Sequence, residues 1–62
     1  MATRPELSSI ATTLEELTRR VGSLAEGVGP DEEELAVELF GVERSLGGAL
    51  RRLRKLAEPP RG

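Results

Sequence analysis

The 62-residue chain contains no cysteine, no histidine, no tryptophan and no tyrosine. Without cysteine there is no disulfide, no thiolate metal ligand and no thiol nucleophile. Without histidine, the commonest metal ligand and the usual general base are both missing. Phe40 is the only aromatic residue, so the chain has little with which to stack on nucleic-acid bases. We therefore predict no catalytic residue, no metal and no cofactor.

Long apolar runs are absent as well. No stretch approaches the roughly 20 apolar residues of a membrane span, and the N-terminus lacks the apolar core of a signal peptide. We therefore expect a cytoplasmic protein with no membrane partner. No glycine-rich loop follows a predicted strand, so a nucleotide-binding loop is not predicted either, and no small-molecule substrate is evident.

Apolar residues in the first half of the chain recur at alternating spacings of three and four. This heptad repeat predicts an amphipathic helix over about 4–26. Its a positions are Leu7, Leu14, Val21 and Val28, and its d positions are Ile10, Leu17 and Leu24.

A second heptad series predicts another helix over about 31–57. Its a positions are Leu39, Leu46 and Leu53, and its d positions are Leu35, Val42, Ala49 and Leu56. Glycines and Pro30 predict a loop over 27–30, and Pro59-Pro60 predicts a disordered tail over 58–62. Two interior glycines, Gly47 and Gly48, leave open whether the second helix is continuous.

A short loop between two helices favours antiparallel packing. The predicted fold is therefore all-α, an antiparallel two-helix coiled-coil hairpin in which a positions face d positions. This register places Val28 opposite Leu35 and Leu7 opposite Leu56.

The e positions of both helices, which should flank this seam, are mostly small or apolar instead of charged. A chain this short without disulfide or metal usually needs association for stability. We therefore predict that the hairpin binds a second copy, as a homodimeric four-helix bundle, or binds a helical protein partner. The predicted partner-binding residues are Ala11, Ala25, Ala36, Phe40, Gly47 and Leu50.

Charge is unevenly distributed along the chain. Residues 26–43 contain seven acidic and no basic residues, and a basic cluster follows later. That cluster is a candidate anion-binding site, although cations near a helix C-terminus also complement the helix dipole. The cluster consists of Arg51, Arg52, Arg54 and Lys55.

Two functions follow as hypotheses from these patterns. The first is a non-enzymatic interaction module, a small scaffold, adaptor or regulator that acts by helix–helix association. The alternative is a nucleic-acid-associated or transcription-linked regulator that uses the basic cluster. An anti-sigma-like hairpin is a variant of this alternative, but the chain contains no Gln and lacks the pattern with which some two-helix anti-sigma proteins bind a cyclic dinucleotide.

Overall fold

The computed structural model describes residues 3–58, which form two long helices in contact. Helix α1 covers Thr3–Gly27, a single 3-10 turn covers Pro30–Glu32, and helix α2 covers Glu33–Ala57. The predicted all-helical fold class is confirmed. Of the predicted tail, Glu58 follows α2 in extended conformation, and residues 59–62 lie outside the described part of the chain.

The connection between the helices depends on Pro30, which occupies the first position of the 3-10 turn. Gly29 before it is extended, with φ −72° and ψ 163°, as the residue preceding a proline prefers. The Glu32 amide donates to the Gly29 carbonyl at 3.0 Å and closes the turn. Asp31 lies inside this turn, and α2 begins without a side-chain cap.

The two helices run antiparallel along most of their length. At the end away from the turn, hereafter the open end, Arg4 Nε donates to the Glu58 carbonyl at 3.1 Å. Nearer the turn, Gly22 lies against the side chain of Glu43. Helix α2 is continuous through Gly47 and Gly48, so the chain is a rod of 51 × 17 × 12 Å.

The residues between the helices are only partly the ones that the heptad pattern predicts. The most buried apolar side chains, Ala11, Ala25 and Leu50, are 3%, 3% and 9% exposed and all occupy e positions. The a positions Leu7, Leu14, Val21, Leu39, Leu46 and Leu53 are half-buried. The d positions remain exposed, so the prediction that a and d stripes face each other is wrong for every d residue.

Small residues line the α1 side of the seam. Ala11, Gly22 and Ala25 are the buried residues of α1, and the Glu43 side chain of α2 lies against Gly22. A methyl group built on Gly22 would lie 2.9 Å from Cδ of Glu43. Thr18, also at an e position, satisfies its hydroxyl within α1 by donating to the Leu14 carbonyl at 2.7 Å.

Glycine inside α2 weakens the helix at positions where no neighbour requires it. A Cβ built on Gly48 meets no atom within 4 Å, so Gly48→Ala should raise the unfolding free energy by about 1 kcal/mol. For a chain of this size, that corresponds to a rise of about 4–8 °C in melting temperature. Gly22→Ala is the matched control, because its new methyl group must displace the Glu43 carboxylate. We expect a smaller gain at Gly22 than at Gly48, and equal stabilisation by both substitutions in a thermal melt would show that the flexible Glu43 side chain moves aside without cost.

Candidate helix-association surface

The exposed d positions of both helices form one apolar face, hereafter the d face. Its large side chains are between 44% and 62% exposed. They are Ile10, Leu17 and Leu24 of α1 and Leu35, Val42 and Leu56 of α2. In an antiparallel pair whose e positions face inward, helix geometry places the d positions of both helices on the same side of the seam.

A shallow apolar groove runs along the d face beside α1. Four of its aliphatic lining residues come from α1, and Leu46 reaches it from α2. Those four are Leu14, Leu17, Val21 and Leu24. Helices pack by inserting side-chain ridges into grooves of this kind, so the d face has the relief that a third helix would need.

The opposite side of the hairpin, hereafter the b face, carries charged side chains of the b positions together with the exposed Phe40. Arg54 of α2 contacts Glu15 of α1 at 2.8 Å, and Arg19 adds a longer contact to the same carboxylate at 3.9 Å. The hydrogen bond from Arg54, and then its charge, lower the pKa of Glu15 below its ordinary value. This pair is exposed to solvent and therefore contributes little to stability. Its charged groups remain in contact with water on the b face.

Most of the predicted partner-binding residues are not exposed on the surface of the hairpin. Ala11, Ala25 and Leu50 lie within the seam, and Ala36 and Gly47 are half-buried. The prediction that these e-side residues form an exposed flank is therefore wrong, because the hairpin itself covers them. Phe40 is 40% exposed and lies at a b position beside Thr18 and Glu43, so its role as a partner anchor stays a prediction.

The basic cluster does not present four equivalent side chains. Arg54 is engaged by Glu15 on the b face, whereas Arg51, Arg52 and Lys55 are exposed around the outside of α2. A shallow depression beside these three residues is also lined by Glu58, whose carboxylate opposes an anion. Anion binding by the cluster stays a prediction.

Two features of the surface were missed by reasoning from the sequence. The d positions were assigned to the core because a regular heptad normally buries both a and d. Gly22 was not singled out, although it is buried at the seam against the side chain of Glu43. The composition of the e row contained the necessary signal, since small residues suit a helix interface as well as an outer flank.

Within residues 3–58, no group of three acidic side chains could hold a metal ion. Neither helix in this part of the chain is long and apolar enough to cross a membrane. Comparisons with models of known protein families, with characterised proteins and with solved structures return no significant match to this chain.

Proposed function

We propose that this protein is a helix-association module that uses its d face to pack against helices of another chain. The simplest product is a four-helix bundle made of two hairpins. One observation supports the proposal above all others: six large aliphatic side chains stand about half exposed in two parallel rows on one side of the molecule.

The energetics favour covering this face. Full burial of a leucine, isoleucine or valine stabilises by about 1.5–3 kcal/mol, so a half-exposed one gains about 1 kcal/mol when a partner covers it. Summed over the six side chains of the d face, this gain is at least as large as the roughly 3–5 kcal/mol that a single core of this size supplies. Contiguous apolar patches on soluble proteins mark interaction sites for the same reason.

Light scattering coupled to size exclusion tests the proposal on the intact chain. We expect twice the 6.7 kDa chain mass, and a melting temperature that rises with protein concentration, because association stabilises the folded state by mass action. A cooperatively folded monomer, with a melting temperature independent of concentration, would overturn the proposal.

A further inference from the structure

We propose that the d face is covered by a second copy of this chain in inverted orientation, with each turn beside the open end of the other hairpin. In this arrangement α1 packs on α1 and α2 packs on α2, related by a two-fold axis perpendicular to the rod. The inference rests on the proposed function and specifies the partner and its direction.

The distribution of charge favours inversion. The turn and its flanks, residues 26–43, contain seven acidic and no basic residues. The remaining residues contain all nine basic and only four acidic residues. A dimer with both turns at one end would place two acidic segments side by side, whereas inversion places each against the more basic half of its partner.

The spacing of the d residues is symmetric under the same operation. In α1 the row Ile10, Leu17 and Leu24 is centred on Leu17, and in α2 the row from Leu35 to Leu56 is centred between residues 45 and 46. A two-fold axis that reverses each helix therefore maps each row onto itself. Leu17 then meets Leu17 of the second copy, and Leu35 meets its Leu56.

One axis can serve both rows only if their centres lie at the same height along the rod. Arg4 contacts Glu58, and counting thirteen residues inward from each reaches Leu17 and Ser45. Gly22 lies against Glu43, and counting five residues away from the turn reaches Leu17 and Gly48. Arg54 contacts Glu15, and counting two residues toward the turn reaches Leu17 and Arg52. Leu17 is therefore level with residues 45–52, a range whose lower end includes the centre of the α2 row.

Charges beside the d face match in the inverted dimer as well. Glu38 and Arg52 are exposed g positions of α2, seven residues to either side of Ser45. The two-fold axis brings Glu38 of each copy next to Arg52 of the other. Pairs of this kind at an interface rim select orientation more than they add affinity.

The absence of cysteine allows the direction to be measured with single spin labels. Gly29→Cys places a label in the turn, where no atom lies within 4 Å of a built Cβ, and Ser45→Cys places one at an exposed site near the proposed axis. From a rise of about 1.5 Å per residue, inversion predicts about 40 Å between Gly29 labels. The Ser45 labels should lie within about 20 Å, since neighbouring helices pack roughly 10 Å apart.

Pulsed electron paramagnetic resonance then separates the outcomes, after light scattering has shown that each labelled variant is a dimer. The inverted dimer is supported by a long distance between the two labels at position 29 together with a short distance between the two labels at position 45. A short Gly29 distance, alone or as a second population, overturns the inversion but leaves association through the d face standing. A monomer by light scattering overturns both proposals.

Discussion

Leu17→Glu is expected to convert the assembled protein into a folded monomer. Leu17 lies at the centre of the d face and is 44% exposed in the single hairpin, so a carboxylate there remains hydrated as long as the chain is alone. In a bundle, the same carboxylate would be buried without a partner, at a cost of about 3 kcal/mol or more. That cost corresponds to at least a hundredfold weaker association, which sedimentation equilibrium can measure.

Val37→Glu is the matched control for this substitution. Val37 is an aliphatic residue that is 65% exposed, and its f position points away from both the seam and the d face. Replacing this aliphatic residue by glutamate should therefore leave the molecular mass of the assembled protein unaltered. If Leu17→Glu kept the wild-type mass, or if Val37→Glu dissociated the protein, the d face would not be the association surface.

Ala25→Glu is expected to unfold the hairpin itself. Ala25 is 3% exposed between the helices, so a glutamate side chain cannot fit there without separating them. Overpacking costs about 1–3 kcal/mol, and an unpaired buried charge costs about 3–5 kcal/mol. Together these exceed the roughly 3–5 kcal/mol that a core of this size supplies. Circular dichroism should show loss of most helical signal at 25 °C.

Ser23→Glu serves as the control, because it adds the same charge two residues away at an exposed position of α1 and should leave the hairpin folded. The pair of variants also separates two models of the molecule. If the e positions were an outer flank, Ala25→Glu would yield a helical monomer that merely fails to associate. A fully helical Ala25→Glu variant would therefore contradict the seam described above.

The sequence was sufficient for the fold class and for the ends of the helices. The alternation of three and four between apolar residues is specific to a helix, and Pro30 cannot continue one. Thus the helices expected over about 4–26 and 31–57 are observed as Thr3–Gly27 and Glu33–Ala57. The start of α2 differs from the predicted residue 31, because Asp31 belongs to the 3-10 turn and α2 begins at Glu33.

The rotation of each helix about its own axis was not available from the pattern. Apart from Glu43, apolar or small residues occupy the a, d and e positions, which together cover a band wider than one neighbouring helix can bury. Periodicity identifies such a band but not which of its edges faces the neighbour. The candidate site was consequently placed on Ala11, Ala25 and Leu50, one edge of the band, although the exposed edge is the d face.

By itself, then, the sequence determined that this chain forms two amphipathic helices folded back at Pro30, because helical periodicity and proline geometry are local properties. Only the tertiary structure decided which edge of each apolar band is buried. The residues buried between the helices are Ala11, Gly22 and Ala25 of α1 and Leu50 of α2, whereas the leucines of the d face stay exposed. Both helices must adopt matching rotations for these residues to meet, so neither series of residues reveals the buried edge alone.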